Sequence, residues 1–202
     1  MRVSINPQNP QGRYITQAVE VLKSGGVIAY PTDTIYGIGC DIFNKKAIER
    51  IYQIKGKEKR EPLSFICPDL KDISKYAHVS NAAYKIMNHL LPGPYTFVLR
   101  GTRLVPKIML SKRRTVGIRV PDNQICLLML KEFGNPIVST SASLSDDEIL
   151  NDPEKIEEKM GKQLDLILDA GLLGLTPSSV IDLTTEPPTV LRRGKGDVSM
   201  FE

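Results

Sequence analysis

The sequence is poor in histidine and cysteine, and this scarcity excludes several classes of catalytic site. His78 and His89 are the only histidines among the 202 residues, and neither lies near a candidate site. Cys40, Cys67 and Cys126 are widely spaced and form no pair of the kind that binds a metal. We therefore expect no histidine-based triad and no zinc centre. Unpaired cysteines favour a reducing, cytoplasmic compartment.

Long apolar runs are also missing. No window approaches the roughly 18 consecutive apolar residues that a membrane-spanning helix needs. Residues 1–7 lack the apolar core of a signal peptide. We therefore expect a protein that makes no contact with membranes.

The net charge is small, at +4, as in many ordinary soluble proteins. The cations are nevertheless clustered in three short turns, at residues 55–60, 112–114 and 192–195. Turns of this kind suit phosphates or nucleic acid if they converge. The glycine-rich phosphate motifs G-x-x-x-x-G-K-S/T and G-x-G-x-x-G do not occur, so a bound nucleotide requires another scheme.

What the chain does contain is an alternation of helix and strand patterns. Apolar residues at helical spacing predict helices at about 13–24, after Asn44, at about 81–91 and 123–133, and within 145–162. Strand patterns lie at residues 27–30, 63–67, 95–100, 115–120, 136–139, 164–168, 179–183 and 189–192. This order predicts an α/β (α+β) fold in which helices pack on a mixed sheet. The absence of a long linker predicts one domain over residues 1–202.

The first segment with chemical character is residues 25–39, where an apolar strand runs into a turn rich in hydroxyl groups, proline and glycine. Thr32, Asp33, Thr34 and Tyr36 come together in that turn. Such a cluster suits a polar, anionic ligand that is oriented by several hydrogen bonds.

A second segment is the basic turn at residues 55–63. Gly56 lets the backbone approach a ligand, and Lys55 and Lys57 offer ammonium groups to a phosphate or a carboxylate. An ordinary solvated turn between a helix and a strand explains the same residues equally well.

Arg119 stands in the apolar strand at residues 115–120, where an unpaired guanidinium group is costly. Two interpretations remain open. The guanidinium group pairs with a structural acid such as Asp33 or Asp182, or it offers a bidentate contact to a ligand carboxylate.

Hydroxyl groups end the following strand, at Ser139, Thr140, Ser141 and Ser143. Serine-rich turns often only cap helices or solvate loops. No histidine is near to activate a serine nucleophile, so covalent acyl chemistry is not expected. The hydroxyl groups fit better as donors to an oxyanion or a phosphate, and segments 177–182 and 190–194 repeat the pattern of donors followed by cations.

Taken together, these segments supply lysine, arginine, threonine and serine without a histidine or cysteine nucleophile. That set suits a reaction driven by positioning and charge neutralisation, such as attack on a nucleotide phosphate with Mg²⁺. It suits the binding of an anionic ligand without turnover equally well, and composition does not distinguish the two.

The segments also form an ordered set of motifs. In chain order they read Tyr-Pro-Thr-Asp-Thr-x-Tyr-Gly, Lys-Gly-x(5)-Pro-Leu, Pro-Gly-Pro-x-Thr, Gly-x-Arg-x-Pro, Ser-x-Ser-Ala, Pro-Ser-Ser-Val-x-Asp and Leu-Arg-x-Gly. This set resembles the YrdC-like family over residues 12–197, and it is most similar to the YciO branch of that family.

The resemblance implies a YrdC/RibB-like fold, with a twisted mixed sheet and flanking helices around a basic concave cavity. It implies threonylcarbamoyl-AMP synthase activity, in which L-threonine, bicarbonate and ATP with Mg²⁺ give threonylcarbamoyl-adenylate and pyrophosphate. The product feeds the N6-threonylcarbamoyl modification of adenosine in tRNA. The family is also associated with double-stranded RNA, so a protein that binds RNA or tRNA, with weak or no synthase activity, is the alternative.

The resemblance also implies roles for individual residues. The threonine-binding residues would be Thr34, Arg119, Ser139 and Ser178. The nucleotide-binding residues would be Lys55, Lys57, Thr115, Ser141, Ser143 and Arg192, and of these Lys55 and Ser141 would be catalytic.

Four positions depart from the synthase pattern. Lys57, Glu61, Ile66 and Ser143 stand where synthases usually carry arginine, asparagine, histidine and asparagine. A lysine is a point charge and does not replace an arginine fork at a phosphate, and a carboxylate at Glu61 repels a triphosphate. We therefore expect reduced synthase activity or a different ligand, with the threonine side better kept than the nucleotide side.

Overall fold

The computed structural model describes residues 1–56, 63–71, 73–143 and 148–202. Its α-helices are α1 (Gly12–Lys23), α2 (Lys45–Ile54), α3 (Ile73–Tyr76), α4 (Asn81–Leu90), α5 (Gln124–Phe133) and α6 (Pro153–Met160). Its strands are β1 (Arg2–Ser4), β2 (Ile28–Tyr30), β3 (Gly37–Asp41), β4 (Ser64–Ile66), β5 (Ala77–His78), β6 (Tyr95–Gly101), β7 (Thr115–Arg119), β8 (Ile137–Ser141), β9 (Leu166–Asp169), β10 (Ser179–Asp182) and β11 (Thr189–Arg192). Short 3₁₀-helices lie at Lys107–Met109 and Ser199–Phe201.

The strands of these ranges belong to one sheet. Its order is β1-β9-β2-β3-β8-β4-β7-β6-β10-β11, and β5 pairs with β6. The pairs β1–β9, β9–β2, β4–β7 and β6–β10 are parallel, whereas the other neighbours are antiparallel. The sheet is therefore mixed, as the sequence predicts.

Side chains of the sheet alternate between two hydrophobic clusters, as expected for strands with a buried face on each side. Val27 and Ala29 pack in one cluster, and Ile28 and Tyr30 pack in the other. The second cluster takes in the apolar faces of α1 and α5, which contact each other. Because α2, α4 and α6 contribute to the first cluster, helices flank the sheet on both faces.

Local sequence signals fix the bounds of several helices. Asn44, Ser80 and Asn123 each cap the helix that follows, because the side chain accepts a hydrogen bond from the backbone N–H three residues further on. Helix α5 ends at Gly134, whose φ of 82° lies in the left-handed region that favours glycine. This ending returns the chain to the sheet as β8, the strand that carries the predicted hydroxyl groups.

The sequence patterns do not predict β1, β3 and β5. Strands β1 and β5 are three and two residues long, too short to show an alternating pattern. Strand β3 contains Gly37 and Gly39, and glycine is depleted in strands. It nevertheless pairs along both edges, with β2 and β8.

Of the helix predicted within residues 145–162, the structure contains the part at Pro153–Met160. Helix α6 begins at Pro153, behind Asp152, whose side chain accepts from Glu154 N, whereas residues 144–147 lie outside the described residues. Within the described ranges, no helix is both long and apolar enough to cross a bilayer. A single domain over residues 1–202 stays a prediction.

Candidate functional site

A cavity of about 440 Å³ lies on the sheet at β3, β8, β4 and β7. Its polar lining residues are Thr32, Tyr36, Ser64, Thr96, Arg119, Ser139, Thr140, Ser141, Ser178 and Arg192. Ile35, Leu63, Ile66 and Ile149 form apolar parts of the wall. A cavity that combines hydroxyl and guanidinium groups suits a polar, anionic ligand.

Strand register builds the floor of this cavity. Ser64 of β4 lies opposite Gly117 of β7 and Ser139 of β8, so these residues face the same side of the sheet. Gly117 keeps the floor open, because a Cβ atom there would overlap Ser64 Oγ and lie 3.0 Å from Thr96 Cγ2. The glycine therefore allows two hydroxyl-bearing side chains to meet across β7.

The turn after β2 is held by its own hydroxyl groups. Thr32 Oγ1 donates to Ile35 O at 2.6 Å and accepts from the backbone N–H groups of Thr34 at 3.1 Å and Ile35 at 3.2 Å. Thr34 Oγ1 lies 3.1 Å from Thr32 Oγ1. Since the Thr32 proton is already donated to Ile35 O, Thr34 is the donor in that pair, and both hydroxyl groups serve the turn.

Arg119, the last residue of β7, is anchored to this turn. Its Nη2 donates to Asp33 Oδ1 and, at 2.8 Å, to Thr34 Oγ1. The Arg119 and Asp33 side chains are only 9% and 10% exposed, whereas Asp182 accepts from Thr184. Of the two acids named from the sequence, the pairing with Asp33 is confirmed.

The Arg119–Asp33 pair leaves hydrogen-bonding capacity unused. Arg119 Nε and Asp33 Oδ2 are buried and have no hydrogen-bond partner among the residues that the structure describes. A guanidinium group has five N–H donors, and the turn engages those of Nη2. Arg119 thus forms a structural ion pair, and, since it also lines the cavity, the donors of Nη1 rather than the buried Nε are those left for a ligand.

Arg192 of β11 brings a second guanidinium group to the cavity. Its Nε and Nη2 donate to Ser178 O at 3.1 Å and 2.9 Å, and Ser178 Oγ lies 2.8 Å from Thr96 Oγ1. Partial desolvation, with a contribution from the nearby Arg119 charge, lowers the pKa of Arg192, but a guanidinium group remains protonated in proteins. Arg119 is already paired with Asp33, so the two guanidinium groups and this carboxylate together leave a net positive charge at the cavity, which favours an anion.

Lys55, which follows α2, lies behind the cavity wall. It is 5% exposed, and its Nζ donates to Ser141 O at 3.0 Å, to Ser143 O at 2.7 Å and to Ser143 Oγ. Ser143 is 2% exposed. The ammonium group therefore holds the chain in place where it leaves β8, directly beside the Ser141 side chain that lines the cavity.

A groove of about 560 Å³ adjoins the cavity. The two concavities share the lining residues Leu63, Ser64, Thr96 and Arg192. The groove adds Thr115 and the cations Lys112 and Arg113. Residues from two of the three basic turns, 112–114 and 192–195, therefore converge on one concave surface.

Comparison with known proteins identifies the family that has this geometry. The family model of the Sua5, YciO and YrdC proteins, described as "Telomere recombination", matches residues 20–194. The chain belongs to the Sua5/YciO/YrdC family. The resemblance drawn from the ordered motifs is thereby confirmed.

Members of the Sua5/YciO/YrdC family match nearly the whole chain. The uncharacterized protein YciO of Escherichia coli K12 is 46% identical over 199 residues, which are 98% of this chain and 97% of that protein. The crystal structure of E. coli YciO has a TM-score of 0.95 and covers 100% of this chain and 99% of its own. A threonylcarbamoyl-AMP synthase of Vibrio vulnificus YJ016 is 33% identical over 185 residues, 89% of this chain and 98% of the synthase.

A further relative was solved with a ligand. The crystal structure of P. abyssi Sua5 complexed with L-threonine is 27% identical and has a TM-score of 0.90. It covers 96% of this chain and 57% of the Sua5 chain. These likenesses confirm the predicted YrdC-like fold.

The residues with family-implied roles fall into three groups. Arg119, Ser139, Ser141, Ser178 and Arg192 line the cavity, and Thr115 lines the groove. Thr34, Lys55 and Ser143 are buried behind the wall and are joined to it through Arg119 or through the chain at Ser141. Lys57 and Glu61 lie outside the described residues. Contacts between any of these residues and a ligand stay predictions.

Ser64 and Thr96 line both concavities but are not among the site residues predicted from the sequence. A signal was available for each: Ser64 is the one hydroxyl in an otherwise apolar strand, and Thr96 belongs to the Pro-Gly-Pro-x-Thr motif. Ile66 lies beside Arg119 in register and lines the cavity. This part of the wall is therefore apolar, at the position where the resemblance implies a histidine in synthases.

Proposed function

We propose that the protein is a threonylcarbamoyl-AMP synthase, which converts L-threonine, bicarbonate and ATP to threonylcarbamoyl-adenylate and pyrophosphate. The observation that carries this proposal is the pair of guanidinium groups, Arg119 and Arg192, in one cavity lined with hydroxyl groups. Support comes from the synthase relative at 33% identity and from the Sua5 structure complexed with L-threonine. The proposed product serves the modification of tRNA adenosine in the cytoplasm.

In this proposal the amino acid binds at the Arg119 end of the cavity. The free donors of Arg119 take the α-carboxylate of L-threonine, and the hydroxyl groups of Ser139 and Ser178 orient the rest of the molecule. Thr34 contributes by holding Arg119 in place. The amine is then left free to react.

ATP, bound as its Mg²⁺ complex, occupies the other end of the cavity and the groove. Arg192 and Ser141 face its phosphates, and Thr115, Lys112 and Arg113 line the remaining space. The volumes of about 440 and 560 Å³ lie within the ~300–1,000 Å³ of small-molecule sites.

The chemistry needs no protein nucleophile. The amine of threonine adds to bicarbonate with loss of water and forms a carbamate. A carbamate oxygen then attacks the α-phosphorus of ATP, the bond from that phosphorus to the bridging oxygen breaks, and pyrophosphate leaves. The protein contributes positioning and charge neutralisation, which account for most of catalysis in phosphoryl transfer.

The purified protein is expected to release pyrophosphate from ATP only when both L-threonine and bicarbonate are present. Arg192→Gln is expected to lower this rate about tenfold or more, because a charge-assisted bond to an anion is lost. The matched control is Arg193→Gln, on the exposed neighbour that pairs with Glu202, which should keep the wild-type rate. A rate that is unchanged when L-threonine is left out would exclude synthase activity.

The groove favours a second candidate function, RNA binding with weak or no synthase activity. Lys112, Arg113 and Arg192 line a concave surface that adjoins the cavity. Asp182 lines the same groove, so three cations and one carboxylate give it a net positive charge, which suits a phosphate backbone.

For this second candidate we expect the affinity for duplex RNA and tRNA to fall linearly with salt on logarithmic axes, because phosphate contacts release counterions. Lys112→Gln with Arg113→Gln is expected to reduce the slope by about two. Lys45→Gln with Lys46→Gln removes the same charge from residues that line neither concavity and should leave the slope unchanged. No binding at low salt would eliminate RNA binding as a function.

A further inference from the structure

Tyr30 crosses a strand to reach the cavity. It is the last residue of β2 and is fully buried, and its ring lies over Gly37 and Gly39 of the neighbouring β3. A Cβ atom on Gly37 would lie 3.1 Å from Tyr30 Cζ, and one on Gly39 would lie 2.8 Å from Tyr30 Cε1. Side chains at these two positions would therefore compete with the ring, and glycine in a strand often marks such a close approach.

The hydroxyl group of Tyr30 ends at Ser139 on β8. Tyr30 Oη donates to Ser139 Oγ at 2.7 Å, and Ser139 is paired with Gly39 in the β3–β8 register. Ser139 lines the cavity, whereas Tyr30 does not. The tyrosine therefore reaches over β3 and contacts the Ser139 side chain, which lines the cavity.

This contact fixes the direction of the Ser139 hydroxyl group. Within the described part of the chain, Ser139 Oγ is the only hydrogen-bond partner of the Tyr30 hydroxyl, and no protein acceptor is found there for the Ser139 proton. Burial raises the pKa of Tyr30, so the phenol keeps its proton and remains the donor. Ser139 Oγ must then accept from Tyr30, and its own proton is left for the cavity.

We propose that Tyr30 is a positioning residue that makes Ser139 an obligate hydrogen-bond donor to an oxygen of the amino-acid substrate. The inference rests on the proposed function and adds to it the orientation of the substrate. The Ser139 proton needs an acceptor, and an ammonium group has none to offer, so the carboxylate or side-chain oxygen lies at Ser139. The substrate amine is thereby directed away from Ser139 and toward bicarbonate.

The test measures L-threonine binding by calorimetry and the KM values for L-threonine and ATP. Tyr30→Phe removes only the hydroxyl group and is expected to weaken L-threonine binding about fivefold to tenfold, with the KM for ATP changed less than twofold. Ser139→Ala is expected to weaken binding at least as much. Tyr30 acts on the substrate only through the Ser139 hydroxyl group. The double variant should therefore bind L-threonine no more weakly than Ser139→Ala alone.

The control is Tyr52→Phe, which removes another buried phenol, one that donates to Ile108 O at 3.0 Å and lines neither concavity. It should reduce thermal stability about as much as Tyr30→Phe does and leave L-threonine binding unchanged. If Tyr30→Phe does not fold, Gly37→Ala replaces it, since its Cβ would lie 3.2 Å from Tyr30 Oη and displace the hydroxyl. Because Gly37 also lines the cavity, this variant is combined with Ser139→Ala, and the pair should bind L-threonine no more weakly than Ser139→Ala alone.

The outcomes separate this inference from the proposed function. If the wild-type protein binds L-threonine and Tyr30→Phe binds it as tightly as Tyr52→Phe does, the positioning role of Tyr30 is overturned. The proposed synthase activity is not affected by that result. Additive effects in the double variant would overturn the positioning role as well. A wild-type protein that neither binds L-threonine nor forms the adenylate would remove the proposed function and, with it, the inference.

Discussion

Replacing Arg119 with alanine is expected to lower L-threonine-dependent kcat/KM about 100-fold or more and to destabilise the fold by about 3–5 kcal/mol. Both effects follow from the position of this one guanidinium group. It lines the cavity, and it also neutralises Asp33 in a setting where the two side chains are 9% and 10% exposed. Without it, Asp33 is a buried carboxylate with no counter-charge, and the substrate carboxylate has lost its fork.

A matched variant separates the two roles of Arg119. Arg119→Ala combined with Asp33→Ala removes the orphaned charge together with its partner, so stability measured by denaturant unfolding should recover by most of the loss. The L-threonine-dependent rate should not recover. Arg119→Lys is also expected to keep most of the stability, since it keeps a charge opposite Asp33, yet it replaces a planar fork by a point charge and stays poorly active. Recovery of the rate in the double variant would contradict a role for Arg119 in substrate binding.

The sequence predicts that Arg119 is paired or functional, but it does not predict which residues surround it. A lone guanidinium group in an apolar strand must be paired or functional, and that argument needs only local sequence. The choice between Asp33 and Asp182 depends on which loop crosses the end of β7, which is a matter of tertiary packing. The structure brings the turn after β2 to Arg119, and Asp182 remains with its own turn.

Strand β3 illustrates a second limit of sequence analysis. Gly37 and Gly39 lower its strand propensity, so the pattern favours a loop. The packing of the sheet nevertheless requires glycine at both positions, because the Tyr30 ring lies over them and leaves little room for a Cβ atom. Local propensity and tertiary demand thus point in opposite directions at a strand that borders the cavity, as is common at functional sites.

Hydrogen-bond direction is the third property that composition leaves open. Thr34 and Ser139 were assigned alike, as hydroxyl groups for threonine. In the structure the Thr34 hydroxyl accepts from Arg119 and donates to Thr32, whereas the Ser139 hydroxyl receives a proton from Tyr30 and faces the cavity. Two similar hydroxyl groups therefore have different hydrogen-bonding roles, which are decided by neighbours that are distant in sequence.

Lys55→Met is the second variant with a large expected effect, a loss of about 2–4 kcal/mol in the free energy of unfolding. Methionine keeps the length and much of the volume of lysine, but it leaves Ser141 O, Ser143 O and Ser143 Oγ without the buried ammonium donor. Ser143→Ala removes only the hydroxyl group, with its contacts to Lys55 Nζ and Ser141 Oγ, and is expected to lose about 1 kcal/mol. Denaturant unfolding of both variants and of the wild type measures these differences.

The Lys55→Met variant also discriminates between a structural role and a nucleotide-binding role for Lys55. If the ammonium group acts by holding the end of β8, Lys55→Met should impair L-threonine and ATP together, because Ser141 lines the cavity that both substrates share, and the loss of activity should accompany the loss of stability. If Lys55 instead binds the nucleotide, as the family resemblance implies, the KM for ATP should rise about tenfold or more with stability nearly unchanged. Burial of Lys55 at 5% exposure and its bonds to the chain after β8 favour the first outcome, and the second would return Lys55 to the nucleotide site.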